Sequence, residues 1–126
     1  LFSESLITSS ILSQLPDGYV IRPLITADFD RGFIDCLAQL TDVGKVDRAR
    51  FIQTFTRMQL SGDYYVIVIE EVETSQVVGC GTLLVEHKFI RSCSKASHIE
   101  DIVVLESQRG KKFGLRIIQA LIELSE

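Results

Sequence analysis

The change of hydrophobic period after residue 62 constrains the fold of this chain most strongly. Residues 63–72 (DYYVIVIEEV) and 77–87 (VVGCGTLLVEH) are dense in β-branched and aromatic side chains, which is typical of strands. Only the four residues Glu73 to Gln76 separate them, so we expect an antiparallel hairpin. A basic loop at 88–95 then leads to a third predicted strand over residues 97–105.

Two glycines lie inside the second strand of this hairpin, where glycine normally weakens a strand. Gly79 and Gly81 leave room for a close neighbour, which is either a ligand or another part of the chain. Tight packing or a bulge is at least as good an explanation as a ligand, and the pattern alone does not separate them.

Helical patterns flank the strands. Thr26 is a suitable N-cap for a helix through about Leu40, and Asp47 is a suitable N-cap for a second helix that ends near Gly62. Apolar residues recur at helical spacing in both segments and again over residues 112–126. Three helices are therefore predicted.

The first 25 residues divide into two parts. Residues 18–25 alternate like a strand, and Pro23 favours an edge position. Residues 1–17 are Ser-rich, and we interpret them as an N-terminal leader or a loosely packed short helix. The order of elements predicts an α/β (α+β) fold, with a mixed, mostly antiparallel sheet flanked by helices, in one domain over residues 18–126.

Composition argues against several classes of protein. The net charge of −4 over 126 residues disfavours a nucleic-acid partner. No apolar run approaches the ~18 residues that span a bilayer, so we expect no stable membrane insertion. The three cysteines, Cys36, Cys80 and Cys93, lack the spacing of a disulfide framework or a zinc site. We therefore expect no metal and a reduced, cytoplasmic compartment.

Two adjacent carboxylates, Glu100 and Asp101, precede the apolar run of the third predicted strand. Adjacent strand residues point to opposite faces, so both can face one site only if a bulge re-aims one of them. A carboxylate beside apolar surface can act as a general base, and these two residues are our candidates for catalysis. A solvated pair of acids at the start of a strand is the alternative interpretation.

The same strand leads into a basic, glycine-containing turn and then a helix. Arg109, Gly110, Lys111 and Lys112 precede the helix, whose N-terminus offers unpaired N–H groups and the positive end of the helix dipole. This combination suits a phosphate or pyrophosphate, although it matches neither a P-loop nor the GxGxxG pattern. A solvated basic turn is again the alternative.

These residues resemble a known family. The strand, the turn from Arg109 to Gly114 and the helix resemble the acetyl-CoA loop of the GNAT superfamily of N-acetyltransferases, with Lys112 where the first motif glycine usually stands. Longer segments look like the glucosamine 6-phosphate N-acetyltransferases of that superfamily. These segments are IRPL, TADFDRGF, LAQLTDVG, SGDYYV, EHKFIRSC and HIEDIVV.

The resemblance implies direct transfer of an acetyl group from acetyl-CoA to the amine of glucosamine 6-phosphate, on the route to UDP-N-acetylglucosamine. Backbone N–H groups would hold the CoA pyrophosphate at Arg109, Gly110, Lys111, Lys112, Phe113 and Gly114. Residues Ile102, Val103 and Val104 would pair with the pantetheine arm. The implied contacts to the sugar phosphate are Thr41, Lys88, Phe89, Ile90, Arg91, Glu100 and Asp101.

The resemblance also sets expectations about completeness and assembly. The C-terminal strands of such domains follow the helix that begins near residue 112, so we expect a domain that is C-terminally incomplete and that forms a homodimer. Two other functions stay open. The chain is either a GNAT-type acetyltransferase for another amine, or a truncated, non-catalytic chain that binds CoA or regulates a full-length subunit.

Overall fold

The structure is a computed structural model, and it describes residues 1–125. Its strands are β1 (Tyr19–Pro23), β2 (Tyr64–Glu71), β3 (Gln76–His87) and β4 (Lys95–Val104). Its helices are α1 (Ser9–Ser13), α2 (Phe33–Ala38), α3 (Arg48–Ser61), the single turn α4 (Ile90–Cys93) and α5 (Phe113–Leu124). Short 3₁₀ segments lie at Glu4–Leu6, Thr26–Arg31 and Glu106–Gln108.

The four strands form one sheet in the order β1-β2-β3-β4. Each of the three pairings is antiparallel, and β2 and β3 form the predicted hairpin. The edge position that Pro23 favours is confirmed, because within residues 1–125 β1 pairs with β2 alone. The predicted fold class is therefore confirmed: an α/β arrangement with a mostly antiparallel sheet and flanking helices.

Both faces of the sheet are covered, because successive side chains of β2 point to opposite sides. Ile67 and Ile69 face α1 and α5 in one core cluster, whereas Val66 and Val68 face α2 and α3 in the other. Each of these four side chains is almost completely buried. The sheet thus separates an α5 side from an α2–α3 side, and this division decides where the candidate site residues point.

The close neighbour that Gly81 admits is a helix. A Cβ atom at Gly81 would lie 2.5 Å from Cγ2 of Ile117 and 2.6 Å from Cδ1 of Ile102. At Gly79 the nearest side-chain atom, Cδ1 of Ile117, would be 3.3 Å away. The glycines of β3 therefore allow α5 to pack directly onto the sheet, and they are not needed for a ligand.

The single helix predicted over residues 26–40 is wrong. The chain forms the 3₁₀ segment Thr26–Arg31, turns at Gly32 with φ of 87°, and only then begins α2. A buried ion pair holds this arrangement. The Asp28 carboxylate is fully buried and accepts two hydrogen bonds from the Arg22 guanidinium, at 2.7 and 2.9 Å. Helical periodicity does not reveal such a pairing, because it joins two different elements.

The other two predicted helices are observed. The Asp47 carboxylate accepts a hydrogen bond from the Arg50 N–H at 2.8 Å, and Gly62 ends α3 with φ of 72°. The helix predicted over 112–126 is α5; residue 126 lies outside the described part of the chain. Within residues 1–125, no helix combines the length and the hydropathy needed to cross a bilayer.

A short helix within residues 1–17 is observed as α1, but the predicted loose packing of this segment is wrong. Ile7, Ile11 and Leu15 are spaced by four residues, and all three side chains are buried in the core cluster on the α5 side. Helix α1, which is capped by the Thr8 hydroxyl, carries only Ile11 of these residues, and Ile7 and Leu15 lie just before and just after it.

Candidate active site

A β-bulge lies at the two candidate catalytic acids. In the pairing of β3 with β4, Cys80 lies opposite Val103 and Thr82 lies opposite Glu100, so two residues, Asp101 and Ile102, oppose Gly81. Asp101 takes a left-handed conformation with φ of 55°. An extra residue in one strand is the defining feature of a bulge, and it shifts the side-chain alternation by one.

The bulge brings both acids to the α2–α3 side of the sheet. Asp101 and Thr82 line a cavity on that side. Glu100 is directly opposite Thr82, and side chains that are directly opposite in an antiparallel pair share a face. Both carboxylates are solvent-exposed. The condition that the sequence set for a shared site, a bulge that re-aims one acid, is therefore met.

The cavity beside Asp101 has a volume of about 220 Å³ and lies between the sheet and helices α2 and α3. Its polar side chains are Thr54, Thr82 and Asp101; the other lining residues are apolar or cysteine. An apolar interior does not suit a sugar phosphate, because each polar group buried there without a hydrogen-bond partner costs free energy. A polar acceptor therefore fits the exposed surface around the acids, outside the cavity.

The outer edge of β4 is unpaired within the described residues, because β4 ends the sheet order. Leu105 donates its N–H to the Val78 carbonyl at 2.9 Å, so its backbone groups point inward to β3. Alternate residues of a strand point their backbone groups to opposite edges. Ile102 and Val104 therefore present N–H and C=O groups at the open edge, whereas those of Val103 are directed to β3.

The basic turn before α5 offers several N–H groups. The first helical hydrogen bond runs from the Arg116 N–H to the Lys112 carbonyl at 3.1 Å, so the N–H groups of Phe113 and Gly114 have no acceptor within the helix. Gly110, with φ of 92°, and Lys112, with φ of 62°, shape the turn. The Lys112 position, where the family motif carries glycine, thus adopts the backbone conformation that glycine favours.

One of the predicted backbone contacts in this turn, that of Arg109, needs correction. The Arg109 N–H already donates to the Glu106 carbonyl at 3.3 Å, so it is not available to a pyrophosphate. The Phe113 side chain is buried in the core, because it supplies the first apolar contact of α5. Phe113 can therefore contact a ligand only through its backbone N–H group, and this is the contact that the resemblance implies.

The cations of the turn differ in their partners. The Lys111 ammonium donates to the Tyr19 hydroxyl at 2.9 Å and to the Gln108 side-chain oxygen at 2.6 Å. Within residues 1–125, the Arg109 and Lys112 side chains make no ion pair. Arg109 and Lys112 are therefore the side chains that can approach an anion at this turn, and Lys111 is already engaged.

The basic loop at the other end of β4 is strongly exposed. Phe89 is 93% exposed and Ile90 is 65% exposed. Arg91, Ser92 and Cys93 take three consecutive left-handed conformations, with φ of 50°, 60° and 59°. Non-glycine residues avoid this region, and clusters of such strained residues are found at binding sites.

The cations of this loop come just before β4, and the two acids are the sixth and seventh residues of that strand. The Lys88 ammonium lies 3.0 Å from the Glu86 carboxylate, and the exposure of both groups makes this a weak pair that a ligand can displace. Arg91 makes no ion pair among residues 1–125. The Glu86 carboxylate also binds His98, and its two partners lower its pKa, Lys88 most strongly.

Thr41 is the predicted substrate contact that comes from the α2–α3 side of the chain. It follows the C-terminus of α2, it is exposed, and it does not line the cavity. Two residues earlier, the Gln39 side-chain oxygen accepts a hydrogen bond from the Glu106 N–H at 2.9 Å, which ties the end of α2 to the turn after β4. This contact was not predicted, because nothing in the local sequence links the two segments.

The cysteines do not form a metal site. Cys36 and Cys80 are buried against each other, and their mutual hydrogen bond and burial raise the pKa of the Cys80 thiol far above its usual range. Cys93 is exposed and ends α4. Among the described residues, no group of histidine, cysteine and carboxylate side chains could hold a metal ion.

Comparisons with known proteins agree with this geometry. The family model described as "Acetyltransferase (GNAT) family" matches residues 28–126. The chain is 46% identical to glucosamine 6-phosphate N-acetyltransferase 1 of Dictyostelium discoideum, over 86% of this chain and 69% of that protein. It is 42% identical to a probable glucosamine 6-phosphate N-acetyltransferase of Drosophila melanogaster, over 84% of this chain and 48% of that protein.

A solved structure shows the same arrangement. The crystal structure of glucosamine-6-phosphate N-acetyltransferase from Arabidopsis thaliana superposes with a TM-score of 0.81 and 37% identity, over 84% of this chain and 73% of that one. The chain therefore spans from about half to three quarters of the length of these relatives. Since the family model and the relatives cover most of its length, this chain belongs to the acetyltransferase (GNAT) family.

Proposed function

We propose that this chain transfers the acetyl group of acetyl-CoA to the amine of glucosamine 6-phosphate. The observation that carries the proposal is the bulge in β4, which directs Glu100 and Asp101 to one face, between a basic loop and an open strand edge. The named activity of the relatives, at 46% and 42% identity, supports this choice of acceptor.

Acetyl-CoA would lie along the second half of this unit. The pantetheine arm contains amides and is extended, so it can pair with the outward N–H and C=O groups of Ile102 and Val104 as an added strand does. The pyrophosphate would then meet the N–H groups at the start of α5 and the cations of Arg109 and Lys112. This direction places the acetyl group near the bulge.

The acceptor would lie on the exposed acids. The phosphate of the sugar would be bound by Lys88 and Arg91 of the basic loop, and the ammonium by Glu100 and Asp101. Transfer requires a neutral amine, so Glu100 takes a proton from the ammonium, directly or through a water. The nitrogen then forms a bond to the thioester carbon, the carbon–sulfur bond breaks, and CoA leaves as a thiolate that takes up a proton.

Backbone groups at the strand edge would assist this step. The thioester oxygen gains negative charge as the nitrogen attacks, and an N–H at the open edge of β4 would stabilise that charge because it is already oriented. No covalent intermediate on the protein is needed. Burial and the contact with Cys36 raise the pKa of the Cys80 thiol, which makes that thiol a poor nucleophile.

Steady-state thiol release tests this proposal. With acetyl-CoA saturating, Lys88→Ala and Arg91→Ala should each raise KM for glucosamine 6-phosphate by roughly tenfold, the effect of losing a hydrogen bond to a charged group. The same variants should leave the rate with glucosamine unchanged, because that amine carries no phosphate. Arg57→Ala, which removes an exposed cation of α3, is the matched control and should change neither.

The outcomes separate the alternatives. Turnover with other amines but not with glucosamine 6-phosphate would contradict the proposed acceptor. Binding of acetyl-CoA without turnover on any amine would favour the non-catalytic, regulatory chain. An equal rise in the KM for glucosamine 6-phosphate in all three variants would show that the positive charges of the surface in general, and not those of the basic loop, attract the substrate.

Assembly and location are further parts of this proposal. The exposed Phe89 and Ile90 side chains support a homodimer, since association would cover this apolar surface. Sedimentation at increasing concentration tests this, and a monomer at all concentrations would contradict it.

A cytoplasmic location and a role in forming UDP-N-acetylglucosamine remain predictions, which localisation and metabolite measurements test.

A further inference from the structure

A hydrogen-bonded cluster around Tyr19 connects the basic turn to the far edge of the sheet. The Tyr19 hydroxyl lies 3.0 Å from the Gln108 side-chain oxygen, 3.0 Å from the Glu71 carboxylate and 2.9 Å from the Lys111 ammonium. Lys111 also donates to Gln108 at 2.6 Å. Tyr19 and Glu71 are opposite each other in β1 and β2, whereas Gln108 and Lys111 belong to the turn.

Counting protons shows how this cluster is held. The Tyr19 hydroxyl has one hydrogen and two acceptor lone pairs. Lys111 donates to Tyr19 and to Gln108, so the single Tyr19 proton is free to go to the Glu71 carboxylate. Hydrogen bonds from Thr74 and from Tyr19 are the largest causes that lower the pKa of Glu71, which keeps it an anionic acceptor. The chain of donors therefore runs from the turn to the sheet in one direction.

Ring contacts fix Tyr19 independently of its hydroxyl. Its ring packs against Phe113, the first residue of α5, with the ring centroids 4.8 Å apart. The Lys111 ammonium lies 5.1 Å from the centroid of the same ring. Tyr19 thus contacts the turn both before and after Lys112, which is the residue that carries the strained backbone.

We propose that Tyr19 is a positioning residue for acetyl-CoA, whose hydroxyl holds the turn of residues 108–112 in its binding conformation before the cofactor arrives. This inference rests on the proposed function. The hydroxyl draws the Lys111 ammonium back onto the sheet, so the N–H groups of Phe113 and Gly114 and the cations of Arg109 and Lys112 are left facing outward. Pre-organisation of this kind lowers the cost of ordering the turn on binding.

The first test needs no cofactor. Trypsin cleaves after Arg109, Lys111 and Lys112, and each bond is protected while the turn is held in place. In Tyr19→Phe, which keeps both ring contacts, cleavage at the turn should become several-fold faster relative to cleavage after Arg57 in α3. Tyr65→Phe is the matched control, because no hydrogen bond of its hydroxyl is found among residues 1–125.

The second test concerns the cofactor. Tyr19→Phe should raise the Kd of acetyl-CoA, measured by calorimetry, by roughly three- to tenfold, the effect of one or two partly buried hydrogen bonds. Because the hydroxyl acts on the phosphate-binding turn, kcat at saturating acetyl-CoA should not change. The kcat/KM for S-acetylpantetheine, which lacks the pyrophosphate, should also stay at the wild-type value. Glu71→Gln, which weakens the acceptor of the Tyr19 proton, should show the same pattern to a smaller degree.

Each outcome either supports or overturns the proposed role of the Tyr19 hydroxyl. Unchanged cleavage at the turn in Tyr19→Phe would overturn the inference. An equal loss of kcat/KM with acetyl-CoA and with S-acetylpantetheine would overturn it too, because the hydroxyl would then be merely structural. A lower kcat would overturn it as well. If the wild-type chain does not bind acetyl-CoA, the proposed function fails together with the role of Tyr19 for that cofactor, and the tryptic result still decides whether the hydroxyl holds the turn.

Discussion

Replacement of Lys112 by glycine separates the backbone strain of the acetyl-CoA turn from its charge. Lys112 has φ of 62° and ψ of 25° at the N-cap of α5. A side chain with a Cβ atom is disfavoured there, because Cβ approaches the following carbonyl oxygen. The family motif carries glycine at this position, so this chain accepts the strain and retains a cation.

The expected change in the free energy of unfolding is the difference between two opposing contributions. Relief of the left-handed strain stabilises the folded chain by about 1–2 kcal/mol. The extra backbone freedom of glycine in the unfolded chain offsets about 0.5–1 kcal/mol of that gain. Lys112→Gly should therefore raise the free energy of unfolding by about 0.5–1 kcal/mol, which corresponds to an increase in Tm of about 2–4 °C for a domain of this size.

Thermal unfolding of three proteins tests the prediction. Lys112→Ala removes the charge but keeps Cβ, so its Tm should stay near that of the wild type. Both variants should bind acetyl-CoA about two- to fivefold more weakly, with a shallower dependence of Kd on salt, because each lacks one exposed cation. If Lys112→Gly is no more stable than Lys112→Ala, the turn is not strained and this reasoning is refuted.

Three further predictions concern the core, the acids and the thiols. Gly81→Ala should lower the free energy of unfolding in urea by about 1–3 kcal/mol, because the new Cβ overlaps α5; an unchanged midpoint would contradict the packing. Glu100→Gln should lower kcat at least ~10²-fold with acetyl-CoA affinity unchanged, whereas Glu106→Gln should not lower it; an unchanged kcat in Glu100→Gln would exclude it as the base. In the native chain only Cys93 should react rapidly with a thiol reagent, and rapid reaction of all three thiols would show that the buried pair opens readily.

The sheet could be predicted from the sequence because its information is local. A run such as residues 63–72 is dense in β-branched and aromatic residues, and the short turn before residue 77 favours pairing with the next run as a hairpin. The segment 26–40 shows the opposite case. Its apolar spacing indicates one helix, but burial of Asp28 against Arg22 breaks it at Gly32. The stability of this ion pair depends on a residue outside the segment, so the spacing of apolar residues within the segment could not show the break.

The candidate site could be predicted in part for the same reason. The order of acids, strand and basic turn is visible along the chain, but whether Glu100 and Asp101 share a face depends on the register between β3 and β4. The role of Lys111 was also beyond the sequence, since its ammonium binds Tyr19, which is 92 residues away. Residues that are far apart in the sequence decide which cation of the turn remains for a ligand.

Direct detection of the acetylated sugar tests the central claim most sharply. The chain is incubated with acetyl-CoA carrying a ¹³C-labelled acetyl group and an equimolar mixture of glucosamine 6-phosphate and glucosamine, and the products are identified by mass spectrometry. We predict that the label appears on the nitrogen of glucosamine 6-phosphate, with release of CoA in equal amount, and that Glu100→Gln abolishes most of it. Label on glucosamine in preference to its phosphate, or CoA release without a labelled sugar, would contradict the account.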